Sequence, residues 1–244
     1  MPILIFLGDF PASSMTKLWL CLLIVMICNK AFCQNSEYNG WLFYSHQQKL
    51  SKKWQFSSDL QIRTAHQARY LNTLLIRPGI GYNINVKQMV TVGYTYFGSW
   101  ENEIENKAYE PENRIFEQYQ IESDVGKLDI TNRLRFEQRF IGQKSDRIFA
   151  QRLRYYVQFR LPILSDPLFT RGLYATVQNE FFLNVPGSNK AGKNWFSQNR
   201  SYAGIGYRYS DKLDVETGYM FRYMIEEEID IRNNILQISI KSSL

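Results

Sequence analysis

Between Leu128 and Leu161 the chain alternates between apolar and charged residues with a period of two, and that alternation limits its fold more than any other feature. In LDITNRLRFEQRFI, the residues Leu128, Ile130, Leu134, Phe136 and Phe140 share one register, while Asp129, Thr131, Arg133, Arg135, Glu137 and Arg139 fill the other. After the polar break GQKSD the pattern resumes. Phe149, Leu153, Tyr155, Val157, Phe159 and Leu161 lie on one face, and Arg152, Arg154, Tyr156, Gln158 and Arg160 on the other. Period two is the signature of a strand, because successive side chains point to opposite faces. Each run is about a dozen residues long, whereas strands in soluble sandwiches average about five or six and a tilted membrane strand needs about nine to eleven. The expectation is an all-β, antiparallel, up-and-down transmembrane β-barrel.

Turn signals divide the chain into strand-like runs at 40–48, 53–65, 69–84, 88–99, 113–125, 128–141, 147–161, 171–184, 196–209, 213–226 and 233–243. Single-chain bacterial barrels have even strand counts, so ten or twelve strands are expected. The run around Trp41 and the proline-containing segment 162–170 are the places where the count is in doubt. Leu50-Ser51-Lys52, Asn85-Val86-Lys87, Gly126-Lys127 and Ser210-Asp211-Lys212 form one set of short turns. Stretches 100–112 and 185–195 read as long connections at the opposite, outer end.

The N-terminal segment indicates a compartment. Met15-Thr16-Lys17, the apolar run Leu18 to Ile27 and Ala31-Phe32-Cys33 have the order of a secretory signal peptide spanning residues 1–33, with cleavage between Cys33 and Gln34. The standard layout begins at Met15, which is therefore an alternative start. Residues 34–244 are then a single barrel domain, expected in the cell outer membrane. All three cysteines, Cys21, Cys28 and Cys33, lie within the first 33 residues, so the remainder has no thiol chemistry. Losing Lys17, Lys30 and Asp9 with that segment reduces the formal net charge of +6 only slightly. Basic residues interleaved with apolar ones along strands do not form a nucleic-acid footprint.

By register, the outward stripes are Leu213, Val215, Tyr219, Phe221 and Tyr223, then Leu236, Ile238 and Ile240. Trp41, Trp54, Tyr96, Trp100, Trp195 and Tyr209 would form interfacial girdles. The charged residues face inward. Arg133, Arg135, Glu137, Arg152, Arg154, Glu180 and Arg200 are the expected lumen-lining set, together with Asp59, Arg63, Arg77, Glu122, Asp129, Arg139, Arg160, Arg208, Glu216 and Arg222. Arginine exceeds acid there, so a water path through the lumen would favour anions.

Several segments carry a family resemblance: Lys49-Leu50-Ser51-Lys52-Lys53-Trp54, Asn132-Arg133-Leu134-Arg135-Phe136-Glu137, Arg152-Leu153-Arg154-Tyr155, Asn199-Arg200 and Gly204-Ile205-Gly206-Tyr207. In these the chain resembles the bacterial outer-membrane family known as domain-of-unknown-function family 2490. The resemblance implies a β-barrel of the outer membrane and assigns no activity.

Enzymatic chemistry has few candidates. Of the two histidines, His66 falls at the outer end of its strand, where a serine-activating base of an outer-leaflet lipid hydrolase would sit, but no G-x-S-x-G accompanies it. Gly187 to Asn194 approaches a phosphate loop yet ends in Asn where Ser or Thr is required, and a strand follows it. Glu226, Glu227, Glu228 and Asp230, like the acid-rich 101–112, read as solvated outer charge. No metal or cofactor is expected. The functional expectation is a non-enzymatic barrel: a narrow, anion-leaning channel or a structural envelope component in contact with outer-membrane lipid, lipopolysaccharide and the assembly machinery. The alternatives are a lipid hydrolase using His66 and a periplasmic lipid- or sugar-binding barrel.

Overall fold

Among the described residues the alternation produces eleven β-strands: β1 (Ser36–Lys49), β2 (Trp54–Ala65), β3 (Tyr70–Asn85), β4 (Gln88–Asn102), β5 (Lys107–Val125), β6 (Leu128–Ile141), β7 (Ile148–Ser165), β8 (Gly172–Asn184), β9 (Phe196–Ser210), β10 (Leu213–Glu226) and β11 (Ile229–Ser243). The computed structural model describes residues 36–102, 107–143, 145, 147–185, 194–226 and 229–244. The stretch read as a signal peptide, most of the phosphate-loop-like run 187–194, and Glu227 and Glu228 lie outside them. Each strand pairs with its sequence neighbours in antiparallel register, and β1 pairs with β11, so the sheet closes on itself.

Closure corrects two expectations. The barrel has eleven strands, not ten or twelve, and it is not antiparallel throughout. In an up-and-down sheet with an odd count the first and last strands run the same way, and β1 and β11 accordingly pair in parallel from Ser36↔Arg232 to Gln47↔Ser243. The first strand is held in the wall because its inner residues fill space. Trp41 packs with Tyr202, Met220 and Ile235 into a buried cluster beside the seam. Trp41 is therefore a lumen residue, 7% exposed, and not part of an interfacial girdle. At the short-turn end His46 Nδ1 lies 2.8 Å from Ser242 Oγ, a further tie between β1 and β11.

The doubtful proline segment is wall. β7 runs through Pro162, and its register against β8 shifts between Pro162 and Leu164. A bulge is where a residue without an N–H disturbs the ladder least. Pro167 falls in the turn that follows. There Asp166 accepts from the Thr170 hydroxyl, the Thr170 amide at 2.7 Å and the Arg171 amide at 3.0 Å. These donors, the hydroxyl first, hold its carboxyl below the usual aspartate range.

One end of the barrel carries the connections 50–53, 86–87, 126–127, 166–171 and 211–212. The other carries 66–69, 103–106, 142–147, 185–195 and 227–228. The 100–112 loop is much shorter than expected, because β4 and β5 continue pairing outward to Asn102↔Lys107.

On the inner wall, rings fit over glycines. A Cβ at Gly206 would lie 2.2 Å from Tyr174 Cζ, and one at Gly93 would lie 2.3 Å from Phe116 Cζ. These two rings lie close to the sheet because the neighbouring strand carries glycine at the paired position.

The parallel seam sets a specific expectation. Leu42 and Ile238 are register partners, and both are exposed on the outer face. In the cysteine-free 34–244 chain, Leu42→Cys with Ile238→Cys should cross-link on mild oxidation, and Leu42→Cys with Gln237→Cys, one residue out of phase, should not. Gel mobility with and without reductant reads the result. No cross-link in the first pair would overturn the eleven-stranded closure.

Candidate functional site

The inner faces of β5 to β10 hold a connected set of carboxylates and guanidiniums. Glu137 is only 1% exposed. Its Oε2 accepts from Arg152 Nη2 at 2.6 Å and Nε at 3.1 Å, and its Oε1 accepts from Arg154 Nη1 at 2.5 Å. These contacts follow from register: Glu137 on β6 stands opposite Arg152 on β7, with Arg154 one inward position away. Arg154 also donates through Nη2 to Glu180 Oε1 on β8 at 2.7 Å, and Arg133 reaches the same oxygen at 2.8 Å. Arg154 therefore links two carboxylates on neighbouring walls.

Four further clusters surround this one. Glu112 receives Arg114 and Arg139 in two-pronged pairs, Asp59 receives Arg77 at 2.7 Å, and Glu216 receives Lys241 at 2.8 Å. Asp214 pairs with Arg208 at 2.9 Å and lies 3.7 Å from Arg160.

Arginines in excess of acid are held by aromatic faces. Arg63 lies over the Trp41 indole at 4.0 Å, with Arg200 at 5.1 Å and Arg222 at 5.8 Å from the same ring. Phe182 is flanked by Arg154 at 4.5 Å, Arg200 at 4.6 Å and Arg152 at 5.1 Å. A ring face carries negative quadrupole charge, so it offsets part of the cost of burying a cation. Amides add donors' partners: Arg135 donates to Gln118 Oε1 at 2.5 Å and 3.0 Å, and Arg222 to Asn233 at 2.7 Å.

All seven residues expected to line the lumen lie on its inner wall, but at two depths. Arg133, Arg135, Arg154, Glu180 and Arg200 border a cavity of about 640 Å³ in the half next to the short turns. Glu137 and Arg152 lie deeper, packed with Glu112, Arg114, Phe116 and Phe182, all buried. Buried side chains occupy the long-connection half among the described residues, and the cavity is a cup open at the short-turn end, where Asp124, Asp211 and Lys212 border it.

Sequence reading placed Glu112 in an outer loop and left Arg114, Asp214 and Lys241 out of the lumen set. Stepping back by twos from Glu122 reaches Arg114 and Glu112, so the register contained the signal.

His66 stands apart from the network. Its side chain is 62% exposed, 3.7 Å from Glu37, and stacked on Tyr70 at 5.5 Å. Ser57 and Ser58 lie eight or nine residues back along β2, about 26 Å away at strand rise. That separation leaves His66 with neither of those serines to activate. Among the described residues, no three of His, Cys, Asp or Glu converge on a metal-sized site.

The chain belongs to the family described as "Protein of unknown function (DUF2490)", whose model matches residues 38–230, from within β1 to within β11. It is similar to an uncharacterized protein of Methylorubrum extorquens, 25% identical over 169 residues that cover 68% of this chain and 69% of the other. No solved structure matches it.

The Glu137 cluster gives a graded expectation. Glu137→Gln strands Arg152 as a buried charge, leaves Arg154 with Glu180 alone, and should cost about 3–5 kcal/mol of stability. Adding Arg152→Met should recover part of that loss, because the pair is then removed together. Urea unfolding of the refolded barrels checks both, and a single mutant within about 0.5 kcal/mol of the parent would contradict the role given to Glu137.

Proposed function

We propose that this member of the family is an outer-membrane β-barrel with a structural role in the envelope, its short turns in the periplasm and its lumen closed to through-flow. One observation carries the membrane reading: the barrel is inside-out. Charge is buried at Glu137, Glu216 and Arg135, while Leu42, Ile80, Val92, Leu134, Val177, Ile205 and Leu236 are exposed on the outer wall. In water such a wall would be a large unprotected apolar surface, whereas hydrocarbon is the solvent it fits.

Dimensions support the same conclusion. Strands of 12 to 19 residues exceed the span required. Exposed aromatic residues gather near both ends. Trp54 packs edge-on against Tyr82 near the short turns, and Trp100 tilts over Tyr109 near the other end. Tyr82 pairs with Val90, and Trp100 lies ten residues further along β4. That is about 33 Å of strand, or about 25 Å of height at a tilt near 40°, the height of a hydrocarbon belt. The secretory character of residues 15–33 agrees with export.

A structural role fits better than a channel because the long-connection half is filled. Arg63, Glu112, Arg114, Glu137, Arg152 and Phe182 are buried across it, each held by ion pairs or rings. Opening a path would mean separating paired charges in a low-dielectric interior.

Conductance tests both parts. Refolded into planar bilayers, the protein is expected to insert and to give no unit steps, and Glu137→Gln, which loosens the packed half, is expected to give intermittent ones. Stable steps with anion preference in the parent protein would make it a channel. A monodisperse, folded protein in detergent-free buffer would refute membrane residence.

A further inference from the structure

The cup at the short-turn end is built unlike the packed half. Its β1 to β4 wall contributes mainly uncharged groups, Ser45, Ser57 and Thr91 among the small ones, with Asp59 and Arg77 as its charged pair, and two inward glycines, Gly79 and Gly81, stand on β3. Its opposite wall is charged. Space remains because short side chains face long ones, where the other half sets long against long.

Charge is unevenly distributed with depth. Five guanidiniums, those of Arg77, Arg133, Arg135, Arg154 and Arg200, border the floor of the cup, against the carboxylates of Asp59 and Glu180. Nearer the mouth the cations are paired off, Arg208 with Asp214 and Lys241 with Glu216. The surplus therefore sits at the bottom, up to about 15 Å below the mouth, from the six residues between Asp129 and Arg135 at a tilt near 40°. Arg200 has no carboxylate within ion-pair distance among the described residues, only rings and the Gln198 amide, which can turn its oxygen to accept from it. Arg135, with a side chain 5% exposed, has an Nη1 without a hydrogen-bond partner and Glu137 no nearer than 3.9 Å. Between mouth and floor, Gln118, Gln120, Gln158, Gln178 and Gln237 line the wall with neutral donors and acceptors.

We propose that this cup is a binding site for a soluble, hydroxylated small molecule bearing one oxyanion group, phosphate or carboxylate. The oxyanion meets the Arg133, Arg135 and Arg200 floor, and the hydroxyls meet the glutamine belt. A guanidinium fork matches an oxyanion in shape and charge, and low-dielectric walls focus the field of the surplus. The volume falls within the range of small-molecule sites. The wall of strands separates the cup from the lipid phase, so the ligand arrives from the aqueous side at the mouth. The inference concerns the lumen alone and stands whether or not the barrel lies in a membrane.

Calorimetric titration of the refolded barrel with glucose 6-phosphate, beside glucose, in about 0.15 M salt tests it. The phosphorylated sugar is expected to bind saturably at one site and glucose not at all. Arg200→Gln should weaken the phosphorylated sugar tenfold or more. Arg63→Gln, buried beyond the floor and outside the cup, should leave it within twofold. Should Arg200→Gln fail to fold, Arg133→Lys keeps the charge, loses the fork, and should weaken binding severalfold. Equal heats from the two sugars, no saturation by about 10 mM, or equal weakening by Arg63→Gln would overturn the proposal.

Discussion

A carboxylate at the centre of a barrel must bring its donors with it, and the Glu137 pairs with Arg152 and Arg154 are the contacts on which the interior depends. Removing two charges from water costs several kcal/mol each, and only close, hydrogen-bonded partners compensate. The three residues can meet because β6 and β7 are adjacent, antiparallel and in a register that sets Glu137 against Arg152. A slip of one residue would turn all of these charges to the outer face and the apolar stripe inward. The ion pairs and the apolar outer wall therefore specify the same register from opposite sides.

The odd strand number follows from what fills the lumen. Arg63, Arg200 and Arg222 gather on one indole, that of Trp41, which β1 contributes. Without β1 those guanidiniums would lose their shared ring, and Met220 and Ile235 would lose their packing partner. The parallel seam is the geometric consequence of keeping that strand. Rings and amides together allow more arginine than acid inside, and in the short-turn half, where fillers are small, the surplus borders open space rather than packed side chains.

Much of this was legible in the sequence. All eleven strands correspond to runs separated by turn signals, and β6 and β10 begin and end at the residues read from alternation. What eluded it was closure. Period two fixes which face a residue takes but not which strand its strand meets, and a general preference for even counts then outweighed eleven visible runs. Trp41 was misplaced because an aromatic at a strand can serve a girdle or a core equally well, and only its register with Arg63 and Gln237 decides. The division of the lumen into a packed half and a cup depends on side-chain volumes facing each other across the barrel, which no local pattern records. Family membership agrees with the resemblance noted in the strand motifs, and His66 lies at the far end of β2 from Ser57 and Ser58.

Sidedness of access tests the central claim, that the lumen is a cup and not a tunnel, most directly. Residues 34–244 contain no cysteine, so Gln158→Cys, in the cup, can be labelled uniquely. In oriented vesicles, a membrane-impermeant maleimide is expected to modify it from the short-turn side only. Modification at comparable rates from both sides would mean an open lumen and would contradict the closed, charge-filled half described here.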